Sequence, residues 1–209
     1  MIVRHAIFPP LDNNCYLICD EATNCSALID CSFWNGDMEA LIGDTDLQYI
    51  LLTHGHFDHI GGVAEVKKRY GAKVVVSAKD ADMLTSPVRS LAAFTGGSQT
   101  NTEPDLLVGE GDTLNVGNIS VRVFSTPGHT KGSVCYVAED CLFTGDTLFC
   151  ESCGRTDFPG GSQREMLRSL KRLAMLPGDY KVYPGHNELS TLSHEIQFNP
   201  MMQYGLKEY

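Results

Sequence analysis

The chain has 209 residues, of which 43% are hydrophobic and 20% are charged, and this composition excludes a disordered or fibrous protein. Its length suits one sizeable hydrophobic core, so we expect one domain across residues 1–209. The 26 Asp and Glu against 16 Lys and Arg leave a net charge of −10, which disfavours a nucleic-acid partner. No apolar run has the length of a membrane helix, and residues 1–11 lack an apolar signal core. We therefore expect no membrane partner and a cytoplasmic location.

Strand and helix patterns alternate along the first half of the chain. Short apolar runs bounded by turn residues predict strands, and they lie at residues 2–7, 15–19, 26–30, 49–52 and 73–77. Helices are predicted at residues 36–43, at residues 62–70 with Gly71 as a left-handed cap, and at residues 78–94 with an interruption at Pro87.

The second half repeats this order of elements without repeating the sequence. Strands are predicted at residues 119–125, 133–137, 141–144 and 181–183, and helices at residues 162–176 and 189–198. Two β-rich halves with helices outside them predict an α/β protein, a four-layer αββα sandwich.

A dense group of metal-ligand side chains follows the strand predicted at residues 49–52. Residues 53–62 read THGHFDHIGG. Imidazole and carboxylate together suit zinc and also accommodate iron or manganese. His54 and His56 cannot share a helix face, but they can converge on one ion from a turn, whereas Asp58 and His59 would then point to a second ion.

Further ligands are expected at other strand ends, because one loop cannot complete two coordination shells. His129, Asp146 and His186 each follow an apolar strand and a glycine, which places each side chain on a tight turn. His5 lies within a strand pattern and His194 within a helix pattern, so we assign neither of them to the metals.

The eight cysteines are read mainly as small buried hydrophobic residues. Cys150 and Cys153 have C-x-x-C spacing, which is also compatible with redox or metal-binding activity. No second pair at zinc-ribbon spacing accompanies them, and this favours the packing interpretation.

From residue 14 to residue 200 the chain resembles the metallo-β-lactamase superfamily, and within it the glyoxalase II (hydroxyacylglutathione hydrolase) group. The resemblance rests on the THxHxDH run and on the later GHT, GD and PGH turns. It implies the αββα fold and two metal ions, most simply zinc. The ligand sets that it implies are His54, His56 and His129 for the first metal and Asp58, His59 and His186 for the second, with Asp146 bridging the two.

The subgroup motifs at residues 146–149, 153–161 and 199–200 are similar in small glyoxalase II-like proteins and in persulfide dioxygenases, so they do not separate these two groups. β-Lactamase activity is disfavoured, because the zinc β-lactamases compared place Cys or Ser where this chain has Asp146.

These residues predict a binuclear hydrolase in which a metal-bridging hydroxide cleaves a thioester such as S-lactoylglutathione. Asp58 is the expected proton acceptor if only one metal is bound. The alternative enzyme is a persulfide dioxygenase with a single Fe(II) on His54, His129 and Asp146. A metal-binding module without catalysis is the third interpretation.

The larger glyoxalase II enzymes differ from this chain in the part that holds the thiol carrier. They carry a C-terminal helical domain with basic residues. Only 23 residues follow His186 here and Lys207 is the only cation among them, so we expect no separate substrate domain. Arg155 is the predicted partner for an anionic substrate tail. Pairing with Asp157 is the structural alternative. The large enzymes have an aromatic residue at the position of Asp157, which leaves a thiol other than glutathione open.

Overall fold

The first half of the chain forms one β-sheet. The computed structural model describes residues 1–9, 11–97 and 99–208. The six strands of this sheet pair in chain order, antiparallel between the first three and parallel from the third to the sixth. The strands are β1 (Ile2–Phe8), β2 (Asn13–Cys19), β3 (Cys25–Ile29), β4 (Asp46–Leu51), β5 (Lys73–Ser77) and β6 (Leu106–Val108).

The second half forms another six-stranded sheet, in which the spatial order is β14-β13-β10-β9-β8-β7. Only β10 and β13 pair in parallel, and a separate two-stranded hairpin joins β11 to β12. The strands are β7 (Thr113–Val116), β8 (Ile119–Ser125), β9 (Val134–Ala138), β10 (Cys141–Gly145), β11 (Leu148–Phe149), β12 (Ser152–Cys153), β13 (Lys181–Pro184) and β14 (Ser190–Thr191).

Helices connect the strands and cover the outer faces of the sheets. They are α1 (Gly36–Ile42), α2 (Phe57–Ile60), α3 (Val63–Tyr70), α4 (Ala92–Thr95), α5 (Gln163–Ala174), α6 (Leu192–Phe198) and α7 (Pro200–Glu208), with a 3₁₀ turn at Ala81–Thr85. The longest, α5, begins where the Ser162 side chain accepts a hydrogen bond from the Glu165 amide. In the described part of the chain, no helix combines the length and the apolar character needed to cross a bilayer.

Three buried hydrophobic clusters separate four layers. One joins α1 and α3 to the outer face of the first sheet, for example through Met38 and Val66. The second lies between the two sheets, where Tyr16 and Phe143 are fully buried. The third joins α5 and α7 to the second sheet. The predicted four-layer αββα sandwich is therefore confirmed.

The prediction of a helix at residues 78–94 is wrong. The segment contains one 3₁₀ turn at Ala81–Thr85, and only at Ala92 does the single-turn helix α4 begin. Pro87 lacks the amide that a continuous helix would need. Asp80 directs its carboxylate across the chain to the Gly55 and Gly132 amides, a long-range arrangement that helical periodicity does not reveal.

The other predicted strands and helices match observed elements to within three residues at each end. Helix α7 was missed, although the sequence carried its signal. Asn199 caps the helix by accepting hydrogen bonds from the Met201 and Met202 amides, and Pro200 occupies the first helical position.

Candidate metal centre

The structure brings the seven predicted donors together at one end of the sandwich. His54 and His56 follow β4, whereas His129 follows β8, Asp146 follows β10 and His186 follows β13. Strands β8, β10 and β13 run in the same direction, so their carboxyl ends lie at one edge of the second sheet.

Backbone hydrogen bonds join the two sheets at this edge. The Val134 amide donates to the Thr53 carbonyl at 2.9 Å, and the Asn14 amide donates to the Gly185 carbonyl at 2.8 Å. The donors from the two halves of the chain are therefore held against each other by both sheets.

The first group of donors consists of His54, His56 and His129, which are all buried. Nδ1 of His56 lies 2.8 Å from Nε2 of His129. The imidazole rings of His54 and His129 stand nearly perpendicular, with centroids 4.8 Å apart. Three imidazole nitrogens facing one point would fill three of the four positions of a tetrahedral zinc shell.

The second group consists of Asp58, His59 and His186. Nε2 of His59 and Nε2 of His186 lie 3.6 Å and 3.5 Å from Oδ2 of Asp58. Asp146 lies between the two groups, because its Oδ1 is 3.3 Å from Nε2 of His59 and its Oδ2 is 3.5 Å from Nε2 of His129. One carboxylate thus faces both groups, as a bridging ligand must.

Four of the imidazole rings are oriented by hydrogen bonds on the side away from this centre. Nδ1 is the outward nitrogen in each case, which leaves Nε2 facing inward. The partners are the Thr53 hydroxyl for His54 at 3.1 Å, the Asp30 carboxylate for His59 at 2.8 Å, the Arg155 carbonyl for His129 at 2.7 Å and the Leu11 carbonyl for His186 at 3.0 Å.

The pKa shifts of His54 and His56 hold these two side chains in the neutral form that binds metal. Burial, reinforced by the charges of His59 and His129, keeps the pKa of His54 well below its ordinary value. Burial, followed by the charge of His129, lowers the pKa of His56 to about 3. A neutral imidazole has a free nitrogen lone pair, which metal coordination requires.

The two carboxylates of the centre are ionised. Burial alone would raise the pKa of Asp146, but the charges of His59 and His129 hold it well below its usual range. Burial also opposes ionisation of Asp58, yet His59, His186 and Asn13 together lower its pKa to about 2. Conversely, Asp30, Asp146 and Asp58 outweigh the burial of His59 and raise its pKa.

Two buried atoms of the centre lack a hydrogen-bond partner in the described part of the chain, and a bound cation would satisfy both. Nε2 of His54 and Oδ1 of Asp146 have no hydrogen-bond partner among the described residues. An unpaired buried polar atom is costly, and an ion is one of the ordinary explanations for it. Gly185 leaves the necessary space, since a Cβ there would lie 2.5 Å from Oδ1 of Asp146.

Sequence reasoning missed two buried residues that support the donors. Asp30 accepts hydrogen bonds from the Thr53 amide and hydroxyl, both at 2.8 Å, in addition to its contact with His59. Asn13 donates to Oδ2 of Asp58 at 3.1 Å. The position of Asp30 directly after the apolar strand β3 repeats the pattern of Asp146, and this signal could have found it.

A third missed residue, Asp80, ties the two histidine loops together. Its buried carboxylate accepts hydrogen bonds from the Gly55 amide at 3.3 Å, the Thr130 hydroxyl at 2.6 Å and the Gly132 amide at 2.8 Å. Because Gly55 lies between His54 and His56 and Thr130 follows His129, Asp80 sets the spacing of the first group.

Arg155 lines the cleft that leads to the donors, which has a volume of about 620 Å³. Its guanidinium also makes two 2.7 Å hydrogen bonds to the Asp157 carboxylate and lies 3.9 Å from the centre of the Phe158 ring. Arg155 therefore faces the cleft and also forms the ion pair with Asp157 that the structural alternative describes.

His5 and His194 both have other partners. His5 contacts the Asn14 side chain at 2.8 Å, and His194 contacts the Glu151 carboxylate at 3.0 Å. Cys150, His194 and Glu195 form a further group of ligand types. The Glu195 carboxylate is already bonded to the Glu151 amide and to Asn199 at 2.8 Å each, so hydrogen bonding explains this group.

The C-x-x-C cysteines behave as packing residues. Both are free and half-buried, and burial raises the pKa of Cys150 and raises that of Cys153 to about 11. A thiol with a raised pKa is a poor nucleophile at neutral pH.

The comparison with protein families identifies this arrangement. The model of the Metallo-beta-lactamase superfamily matches residues 8–186, which include all seven donors. The chain belongs to this superfamily. Its relatives include "Hydroxyacylglutathione hydrolase" of Pelagibacter ubique, 36% identical over 178 residues, which cover 84% of this chain and 66% of that protein. "Probable polyketide biosynthesis zinc-dependent hydrolase BaeB" of Bacillus velezensis is 34% identical over 181 residues, covering 84% and 73%.

Solved structures of the superfamily share the whole architecture. The BLEG-1 B3 metallo-beta-lactamase superposes with a TM-score of 0.90 at 31% identity, over 96% of this chain and 99% of that one. ETHE1 from Myxococcus xanthus gives 0.79 at 31% identity, over 100% and 91%. TTHA1623 in a di-iron-bound form gives 0.83 at 32% identity, over 94% and 98%. Proteins of similar structure thus carry different names, and one of them is described in a di-iron-bound form.

Proposed function

We propose that this superfamily member hydrolyses a thioester of a low-molecular-weight thiol with two divalent metal ions. The observation that carries the proposal is the position of Asp146 between the two donor groups, with its two oxygens 3.3 Å and 3.5 Å from His59 and His129. Under this proposal His54, His56 and His129 hold one ion, Asp58, His59 and His186 hold the other, and Asp146 serves both.

Two bound divalent ions supply a Lewis acid for a carbonyl oxygen and a water nucleophile that ionises near neutral pH. In the proposed reaction a C–O bond forms at the acyl carbon and the C–S bond breaks, so that a thioester and water give a carboxylic acid and a thiol. A thiolate is a good leaving group, and no side chain has to protonate it before it departs.

The chain's own residues orient the donors. Asp30 and the carbonyl of Arg155 fix the rings of His59 and His129, and Asn13 holds Asp58. The low pKa of Asp58 makes it a weak base, which favours its role as a ligand. Proton acceptance by Asp58 in a singly loaded site stays a prediction.

Zinc is the metal we propose, because histidine and carboxylate ligands suit it and a relative is named as a zinc-dependent hydrolase. The same donors suit iron, and the di-iron form of TTHA1623 makes iron the first alternative, with manganese after it. We also propose a cytoplasmic location, since all eight cysteines lie in the described residues and are free.

A direct assay tests the proposed reaction. Protein loaded with zinc should cleave S-lactoylglutathione and simpler acyl thioesters, and should release one thiol for each acid formed. For each substrate the rate under air should equal the rate under nitrogen. The matched control is the same protein after removal of metal by a chelator, which should be inactive and should recover when zinc is restored. Cleavage of β-lactams but not of thioesters would contradict the proposal, a relevant outcome given the similarity to BLEG-1.

Similarity to ETHE1 favours a second candidate, the persulfide dioxygenase. In that reaction a persulfide, O₂ and water give a thiol and sulfite, and the iron ligands would be His54, His129 and Asp146. His56 argues against an iron site with only these three ligands, because its Nδ1 lies 2.8 Å from Nε2 of His129 and faces the same point. Strict dependence on O₂ and Fe(II), with sulfite as product, would replace the hydrolase assignment by this one.

Arg155 is the proposed partner of an anionic thiol carrier. Replacing Arg155 with alanine should raise KM for carboxylate-bearing thioesters at least tenfold, which corresponds to about 1.4 kcal/mol, and should leave kcat for a neutral thioester nearly unchanged. Because Asp157 neutralises part of the Arg155 charge, Asp157→Asn should lower KM for the same anionic substrates. Equal losses on charged and neutral substrates in Arg155→Ala would show that Arg155 only structures the loop.

A further inference from the structure

A second cavity, of about 310 Å³, adjoins the cleft at the metal centre. The two spaces share part of their walls, because Leu11, Phe57, Asp58 and Thr95 line both of them. The remaining lining residues of the second cavity are Pro9, Ser32, Phe33, Gly96 and Gly97. The side cavity therefore borders the metal centre.

The walls of the side cavity are mainly apolar. Phe33 and Leu11 are 47% and 49% exposed, so part of the apolar surface of each side chain is open to solvent. Among the described residues, Asp58 is the one charged residue that lines it, and Asp58 belongs to the metal centre. The hydroxyl of Thr95 already donates to the Leu91 carbonyl at 3.1 Å. The cavity thus offers contact surface and few polar partners.

The Phe57 wall of the cavity is held in place by the neighbouring chain. The Phe57 amide donates to the Ser90 carbonyl at 2.9 Å. A Cβ on Gly97 would lie 2.3 Å from the Phe57 ring, so the absence of a side chain at residue 97 allows the loop to pack against the ring. An aromatic wall that is fixed before binding loses little entropy when a ligand arrives.

The cationic residue of the site lies outside the side cavity. Arg155 and Phe158 line the large cleft but not the side cavity. A substrate bound at the centre would therefore meet apolar side chains in the side cavity and Arg155 in the large cleft. We propose that the side cavity binds the acyl group, and that the substrates are thioesters of apolar acyl chains several carbons long.

This assignment rests on the proposed thioester hydrolysis and narrows its substrate class. A lactoyl group is short and carries a hydroxyl, so it would leave most of the apolar surface uncovered. Each additional methylene buried in the cavity should raise kcat/KM about fourfold, which corresponds to about 0.8 kcal/mol. The increase should stop when the chain fills the cavity.

A chain-length series tests the assignment. Acetyl, butyryl, hexanoyl and octanoyl thioesters of N-acetylcysteamine share one neutral thiol, so only the acyl group varies. For the unaltered protein, kcat/KM should rise with chain length. Phe33→Ser should flatten this rise, and Leu11→Ser provides a second variant at an exposed position if the first does not fold. Leu107→Ser is the control, because Leu107 is 57% exposed on β6 and lines neither space.

Binding of the product acids separates this proposal from the proposed function. Titration calorimetry should show that octanoate binds the zinc-loaded protein more tightly than butyrate, and that Phe33→Ser removes the difference. If thioesters are not cleaved but this binding preference is found, the hydrolase assignment fails and the cavity assignment stands. Cleavage that does not depend on chain length, or an unchanged rise in both Phe33→Ser and Leu11→Ser, would overturn the cavity assignment.

Discussion

Replacing Asp146 with alanine is expected to reduce bound metal from about two equivalents to one or fewer and to lower thioester hydrolysis by more than about 100-fold. Asp146 is the carboxylate that faces both donor groups, at 3.3 Å from His59 and 3.5 Å from His129. Its removal also eliminates the negative charge that offsets two ions held close together. Two ions at this centre would then repel each other without a shared anion between them.

Metal content after dialysis, measured by mass spectrometry, checks this expectation. Asp140→Ala is the matched control, because Asp140 is an exposed carboxylate that pairs with Lys181 at 3.0 Å and lies outside the cleft. This control should retain two equivalents and full activity. If Asp146→Ala also retained both, Asp146 would not bridge the two ions.

Replacing Asp80 with alanine is expected to destabilise the fold by about 3 kcal/mol, because three buried donors lose their acceptor. These donors are the Gly55 and Gly132 amides and the Thr130 hydroxyl. For a chain of this size the loss corresponds to a decrease in Tm of about 6–12 °C. Asp80→Asn should cost less, since an amide retains one oxygen acceptor.

The same substitution should weaken metal binding, and this effect distinguishes Asp80 from an ordinary buried residue. Without the carboxylate, the loop of His54 and His56 is no longer tied to the loop of His129, and affinity should decrease about 10- to 100-fold. Calorimetric unfolding with and without zinc measures both effects. Asp82→Ala is the control, because Asp82 is exposed and its ion pair with Arg89 contributes little. Wild-type Tm and zinc affinity in Asp80→Ala would refute the proposed tie.

The fold class and the side chains that meet at the metal centre were predicted from the sequence alone. Strand and helix patterns are local, because side-chain periodicity reports the face that each element buries, and they were sufficient to predict the αββα order. The donors were predictable for a related reason. His54, His56, Asp58 and His59 lie within six residues, and His129, Asp146 and His186 each follow a strand and a glycine.

Only the tertiary structure revealed the residues that support these donors. Asp30, Asn13 and Asp80 act through contacts with partners 23 to 52 residues away in the chain. Such contacts depend on how two sheets meet, and no local pattern encodes them. For the same reason the sequence predicts a helix at residues 78–94 that does not form. The carboxylate of Asp80 in this segment accepts hydrogen bonds from the distant Gly55 and Gly132 amides, and helical periodicity does not reveal such contacts.

The tertiary structure also decided the shape of the space around the centre. The side cavity is built from Leu11, Phe33 and Gly97, which lie in three separate loops, and from Phe57 at the start of α2. In the sequence each of these residues is unremarkable, because an apolar residue in a loop can be buried elsewhere or left exposed. Which apolar side chains face the metal centre is determined by the packing of distant segments, and for that reason the proposed acyl specificity could be inferred only from the folded protein.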